Sequence, residues 1–301
     1  MTPGGSGEVI RVDGLVKDYG PIHAVRGIDL LVGTGEVVGF LGPNGAGKST
    51  TIRCLLDLLR PTAGRIMLFG LDPARDGVAT RRRLAYVPGE LRLPDRLSGG
   101  GLVASLTAFR GPYDRRRLET LAERLALDLS RPTRQLSSGN RRKLALLLAF
   151  LWPTELLVLD EPTSGLDPLM QQEFLGLVRE ARAGGSSVFL SSHVLSEVQR
   201  VADRVVVLRD GLVVASGTVA ELRGRATRRV DVTFGADVPV SEIEALPGLR
   251  DRRIDGRRVT GVVTGSLQPL IAVLARHPVD DLLVEEPDLE ETFLELYEEP
   301  A

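Results

Sequence analysis

Apolar and polar residues alternate in short runs at the start of the chain. Residues 9–12 and 28–32 carry the period of two expected of half-buried strands, and 36–41 is a continuous apolar run of the length of a fully buried one. A glycine-rich loop follows at once, and the period then changes. Ile52, Leu55, Leu56 and Leu59 recur at helical spacing, which predicts a helix over 49–59 that Pro61 stops. Between residues 88 and 152 the pattern is mainly helical and arginine-rich. Strand character returns at 156–160, 187–192 and 204–209, so the middle reads as a helical subdomain inserted into an α/β unit. Asp210-Gly211 between two valine-rich runs predicts a hairpin turn near the end of this unit, and a helix around Glu221 closes it.

From residue 229 the pattern restarts. Val230, Val232 and Phe234 alternate as a strand, 241–246 and 267–275 read as helices around a hairpin at Asp255-Gly256, and 281–284 reads as a last strand. The order βαββαβ predicts a small ferredoxin-like α+β domain over 229–301. A helix capped by Asp288 and Glu291, with Leu289, Phe293 and Leu296 on one face, is expected after it. The first large domain then covers 8–225, with 1–7 a flexible lead-in. No fixed-period repeat or heptad run is present, which removes solenoid and long coiled-coil readings.

The glycine-rich loop carries the first chemistry. Gly42-Pro43-Asn44-Gly45-Ala46-Gly47-Lys48-Ser49-Thr50 is a P-loop in its required place, after an apolar strand and opening a helix. Glycines let consecutive N–H groups bend inward toward phosphate oxygens, and the helix N-terminus adds positive potential at the same point. Lys48 is expected to hold the β- and γ-phosphates, and Ser49 to place its hydroxyl on Mg²⁺. A second apolar strand ends in two acids. Asp160 is expected to support Mg²⁺ and Glu161 to polarise the attacking water. Ser164-Gly165-Leu166-Asp167-Pro168 follows directly, and His193 ends the next apolar strand.

Composition narrows the context. With 301 residues, 43% hydrophobic and 26% charged, the chain can bury a sizeable core. Its longest apolar run, 144–152, is too short for a membrane-spanning helix, and no secretory leader pattern is seen, so a cytoplasmic protein is expected. The single cysteine, Cys54, excludes an internal disulfide and a cysteine metal cage and is expected in the core. A formal charge of −2 gives no field that draws the protein to nucleic acid. The arginine runs at 81–83 and 115–117 and the basic run at 141–143 read as solvated helix faces, the last with an alternative place near phosphate or a membrane partner.

In this order the motifs resemble those of ATP-binding cassette (ABC) ATPases, over roughly residues 8 to 225. The resemblance implies an α/β P-loop NTPase fold, with a RecA-like core, an antiparallel β subdomain and the inserted helical subdomain. It implies that Tyr19 stacks on adenine, that Ser164, Gly165, Leu166 and Asp167 form the D-loop, and that His193 is the switch histidine. The family signature matches Leu136-Ser137-Ser138-Gly139-Asn140, just before the helix leading to the Asp160 strand. Leu97-Ser98-Gly99-Gly100-Gly101 resembles it more closely on paper, but it lies too far upstream, and Ser98 reads better as a helix cap. Ser137 and Gly139 would then reach the γ-phosphate of ATP held by the opposite subunit. The resemblance thus implies a homodimer that sandwiches ATP and Mg²⁺.

Two positions depart from the family pattern. Gly89 stands where the family has a glutamine; either Glu90 or a water takes its place, or Pro88-Gly89 is simply a turn. Ser138 and Asn140 alter the signature but leave the phosphate-facing positions intact. The tail at 287–293 is similar to that of daunorubicin-resistance-type and other ABC-2 ATPases. This implies a separate transmembrane permease, export of a hydrophobic small molecule, and a peripheral position on the inner face of the plasma membrane. The rival readings are a soluble cassette ATPase that remodels ribosomes or nucleic acid, and a weakly hydrolysing ATP-binding regulator.

Overall fold

The computed structural model describes residues 7–221 and 227–285. The expected cap at Asp288 and Glu291, the 287–293 tail and the lead-in 1–6 lie outside the described residues, as do 222–226 at the expected domain boundary. The chain divides into two compact units, Met1–Ser216 and Gly217–Ala301.

In the first unit, β1 (Glu8–Tyr19), β2 (Ile22–Gly33) and β4 (Ala63–Leu68) form an antiparallel sheet in the order β2-β1-β4. A six-stranded sheet is built from β3 (Val37–Leu41), β5 (Leu84–Val87), β6 (Leu156–Asp160), β7 (Ser187–Ser192), β8 (Arg204–Arg209) and β9 (Leu212–Thr218), in the order β5-β6-β7-β3-β8-β9. Its first five strands run parallel. Every residue of β3, β6 and β7 is buried, as expected of parallel strands covered on both faces.

Helix α1 (Lys48–Leu55) shares one core with both sheets. Ile52, Cys54 and Leu55 pack with Ile10, Leu15 and Leu68 from the first sheet and Val158 and Phe189 from the second. Phe40 and Phe189 meet at the centre of the six-stranded sheet with ring centroids 5.2 Å apart. Burial pushes the Cys54 thiol up to about 11, which leaves it protonated and unreactive at neutral pH.

Helix α1 is shorter than its hydrophobic period predicts. It ends at Leu55 because Asp57 turns into the left-handed region at φ 56° and the N–H groups of Leu58 and Leu59 close back onto the Arg53 carbonyl. The chain therefore leaves the helix before Pro61 could stop it. At the other edge, Asp210 and Gly211 both have positive φ, 48° and 77°, as a two-residue hairpin turn with matching twist requires.

Between β5 and β6 lie α3 (Gly99–Arg110), α4 (Arg115–Arg124) and α5 (Ser138–Leu151); α2 (Gly77–Arg82) precedes β5. Ser98, Asp114 and Ser137 cap the three longer helices by accepting the N–H of Gly101, Arg116 and Asn140. Leu102, Leu136 and Leu144 make a small core with Leu93, Leu97, Leu127 and Leu129. Arginines tie this region together and to its neighbours. Arg110 donates to the Leu84 carbonyl at 2.6 Å and Arg117 to that of Phe150 at 2.9 Å, while Arg124 pairs with Glu173 and Glu180 of α6 (Pro168–Ala183) at 2.7 and 2.8 Å. The expectation of wholly solvated arginine runs is thus corrected at Arg83, Arg117 and Arg142, which bond carboxylates or carbonyls of neighbouring segments. The short helix α7 (Leu195–Val198) follows β7.

The second unit orders its elements as β10 (Thr227–Phe234), α8 (Val240–Glu244), β11 (Leu249–Asp255), β12 (Arg258–Thr264), α9 (Gln268–Leu274) and β13 (Val279–Glu285). The sheet order is β11-β12-β10-β13, antiparallel throughout. Val230, Val232 and Phe234 face Ile243, Leu270 and Val273 of the helices in a core of their own. Among the described residues no helix is long and apolar enough to cross a membrane.

The central aromatic pair should dominate the stability of the first unit. Phe189→Ala removes a fully buried ring from the all-buried strand β7 and should cost about 3–5 kcal/mol. Chemical denaturation followed by circular dichroism measures it; a loss near that of an exposed substitution would contradict the core described here.

Candidate active site

Strand order decides where the candidate residues meet. β3 lies between β7 and β8, and β6 lies beside β7, with Leu41 opposite Ser192 and Asp160 opposite Ser191. The loop leaving β3, the acids ending β6 and the histidine after β7 therefore emerge at one edge of the parallel sheet.

The 42–47 loop needs its glycines for two separate reasons. A Cβ on Gly42 would lie 2.4 Å from the Leu208 carbonyl oxygen, and one on Gly47 would lie 2.4 Å from that of Ala24. Gly45 and Gly47 also sit at φ 86° and 106°, where L side chains are strained. The loop closes with the Ala46 N–H on the Pro43 carbonyl at 3.2 Å and delivers Lys48 as the first residue of α1. No side chain caps that helix N-terminus, and no acidic residue stands in its first turn. Its initial N–H groups have no intrahelical partner, which makes it a ready anion site.

Lys48 is only 5% exposed. Its ammonium donates to the carbonyls of Gly42 at 2.6 Å and Pro43 at 3.1 Å, and lies 3.1 Å from Glu161 Oε1. Glu161 Oε1 is nevertheless buried without a directed hydrogen bond, so the contact with Lys48 is charge proximity alone. The other oxygen, Oε2, lies 2.7 Å from His193 Nδ1. Glu161 also adopts φ 48°, a left-handed conformation that costs a non-glycine residue about 1–3 kcal/mol. Its N–H is held there by the Ser191 hydroxyl at 3.1 Å and the Ser191 carbonyl at 3.2 Å.

Asp160 is 1% exposed, and its Oδ1 accepts from Ser49 Oγ at 3.1 Å and from Ser191 Oγ at 2.6 Å. Ser191 thus aligns both acids, a role no motif in the sequence announced. Tyr86 of β5 is a further neighbour. Burial, reinforced by the charge of Asp160, pushes its hydroxyl up to about 12.

The remaining candidates are more dispersed. Thr50 is half-buried in the first turn of α1. Pro43 and Asn44 are exposed on the loop and Ala46 is buried beneath it. Tyr19 stands 42% exposed at the end of β1, with Lys17 Nζ 5.1 Å from its ring centre. Ser137 and Ser138 are exposed at the start of α5, and Gly139 abuts the 164–167 segment, since a Cβ on it would lie 3.2 Å from the Gly165 carbonyl oxygen. Ser164 is exposed, Leu166 is buried, and Asp167 caps α6 by accepting the Met170 N–H at 3.0 Å. Gly89 lies against the acids, because a Cβ on it would come 3.1 Å from Asp160 Oδ2, whereas Glu90 is exposed.

Residues 25–164 match the ABC transporter family. A daunorubicin resistance ATP-binding protein of Streptomyces coeruleorubidus is 38% identical over 307 residues, covering 95% of both chains. The daunorubicin/doxorubicin resistance ATP-binding protein of Streptomyces peucetius is 32% identical, over 94% of this chain and 97% of that one. Among solved structures, an ATP-binding subunit of an ABC transporter superposes with a TM-score of 0.67 at 32% identity, covering 71% of this chain and 92% of the other. A P-loop, paired acids and a histidine at one sheet edge, carried on a chain of which such relatives match 94–95%, make this protein a member of the ABC ATPases, an ATP-binding subunit homologous to those of drug-resistance exporters.

Proposed function

We propose that the protein binds Mg-ATP at Gly42 to Thr50 and hydrolyses it as a head-to-tail homodimer. In doing so it drives a separate transmembrane permease that exports a hydrophobic small molecule. It works in the cytoplasm against the inner face of the plasma membrane, without nucleic acid. The observation that carries this reading is the convergence of Lys48, Ser49, Asp160, Glu161 and His193 at one sheet edge. Drug resistance in the two Streptomyces relatives supports the export reading.

Under this reading each group has a task. Phosphate oxygens take over the Lys48 protons now directed at two carbonyls of its own loop. Mg²⁺ suits the pair formed by Ser49 Oγ and Asp160 Oδ1, since this ion keeps most of its waters and uses one or two protein oxygens besides the substrate's phosphates. That also fits the absence, among the described residues, of any group of three or more His, Cys, Asp or Glu able to hold a metal alone. When bound, the ion supplies charge neutralisation on the transferring phosphoryl group. Glu161 positions the attacking water and accepts its proton, while His193 fixes the carboxylate through Oε2. Ser137 and Gly139 of the second copy complete the site with a hydroxyl and an N–H at the start of a 14-residue helix, whose dipole favours an anion there.

Glu161→Gln should lower hydrolysis about 10²- to 10⁴-fold while sparing ATP binding, measured by phosphate release and by a fluorescent ATP analogue. Loss of binding together with turnover would remove Glu161 from its assigned role. The shared site gives a second test. Lys48→Ala and Ser137→Ala proteins should each be inactive, yet their mixture should regain activity, because the mixed dimer rebuilds one complete site. A mixture as inactive as its components would exclude the head-to-tail arrangement.

A further inference from the structure

Arg142 lies one helical turn beyond Ser138 on α5, and it is only 7% exposed. Its fork spans two successive carbonyls, Nη1 donating to Pro88 at 2.6 Å and Nη2 to Gly89 at 2.6 Å. A planar guanidinium can make such a paired contact, and a lysine ammonium cannot reproduce it. The segment it grips is the one pressed against Asp160, where a Cβ on Gly89 would sit 3.1 Å from Oδ2. Burial pushes the Arg142 guanidinium down, and the charges of Asp160 and Glu161 pull it back up, which places all three in one electrostatic neighbourhood. Gly89 has no side chain with which to link helix and acids, and the exposed Glu90 forms no hydrogen bond or ion pair among the described residues. The link therefore runs through main chain.

We propose that Arg142 is a positioning residue for ATP hydrolysis: by clamping the carbonyls of Pro88 and Gly89 it ties the start of α5 to Asp160. The helix carrying Ser137 and Gly139 and the acids that act on the phosphate then move as one piece. Arg142 itself touches neither nucleotide nor water. The inference rests on the proposed ATPase function and adds a residue outside every motif that suggested it.

The test compares Arg142→Lys with Arg117→Lys. Arg117 is exposed and donates to a single carbonyl in the helical region, that of Phe150, so it serves as the control for loss of a guanidinium–carbonyl bond away from the acids. Turnover, KM for Mg-ATP, affinity for a fluorescent ATP analogue and unfolding midpoint are measured for both, with wild type and Glu161→Gln alongside. Arg142→Lys should lose about 10- to 100-fold in kcat, the scale set by small misplacements of reacting groups, with analogue affinity and KM within about three-fold of wild type. Arg117→Lys should keep its kcat even where its unfolding midpoint falls. Wild-type kcat in Arg142→Lys, or kcat losses in both variants that track their stability, would overturn the positioning role alone. No hydrolysis by the wild-type protein above the Glu161→Gln level would sink the ATPase reading and this inference together.

Discussion

A lysine ammonium at 5% exposure is the constraint around which the first unit is arranged. Desolvating such a charge costs on the order of several kcal/mol unless opposite charge and hydrogen-bond acceptors are held close to it. The acceptors come from its own loop, two carbonyls that point inward because Gly45 and Gly47 permit backbone angles closed to other residues. The opposite charge comes from far along the chain, at Glu161. Only the parallel order β6-β7-β3 brings the two together, so the topology of the sheet and the solvation of one cation are a single problem. The left-handed backbone at Glu161 and the buried, undirected oxygen of its carboxylate are further costs accepted at that point. Strain of this kind persists only where the surroundings over-determine it, and here the Ser191 hydroxyl and carbonyl do so.

Sequence reveals the parts of this site that are local and conceals those that are not. The P-loop can be read directly because its glycines, lysine and serine are contiguous, and the need for each follows from phosphate geometry. Asp160, Glu161 and His193 can be read because each ends an apolar run, where a parallel strand delivers its last residues to the sheet edge. Ser191 is hidden, since a serine inside a buried strand announces nothing until its register opposite Asp160 is known. Strand β4 escapes for a related reason. Only Ile66 and Leu68 of its six residues are buried, and its pairing with β1 is set by chain segments fifty residues away. The early end of α1 follows from a left-handed turn at Asp57, which the apolar spacing through Leu59 masks.

The abundance of arginine and scarcity of lysine acquire a structural sense. Arg110, Arg117 and Arg142 each reach from a helix of the inserted region to a main-chain carbonyl that its own secondary structure leaves unpaired. Buried carbonyls without partners cost about 1–3 kcal/mol each, and a long, permanently charged donor with several N–H groups can satisfy them across a gap. An abundance of arginine in such a chain is therefore no evidence for a nucleic-acid surface. The balancing acids, Glu155, Glu173 and Glu180, stand directly opposite arginines, and their pairing holds the Glu155 and Glu180 carboxyls below their usual range.

The two ends of the nucleotide machinery differ in how complete they are within one chain. The P-loop end holds a buried cation, Glu161 and His193 in a chain of contacts, with Asp160 tied alongside through Ser49 and Ser191. At the signature end the serines are exposed, and α5 starts with an N-cap and no acidic residue in its first turn. The positive end of that helix is favoured by an anion even with its cap, because Ser137 satisfies only one of the first N–H groups. Under the proposed function the missing charge is the γ-phosphate seated on a second copy. Attraction between that phosphate and the helix end then closes the dimer, and its departure after hydrolysis removes the force that held the two copies together.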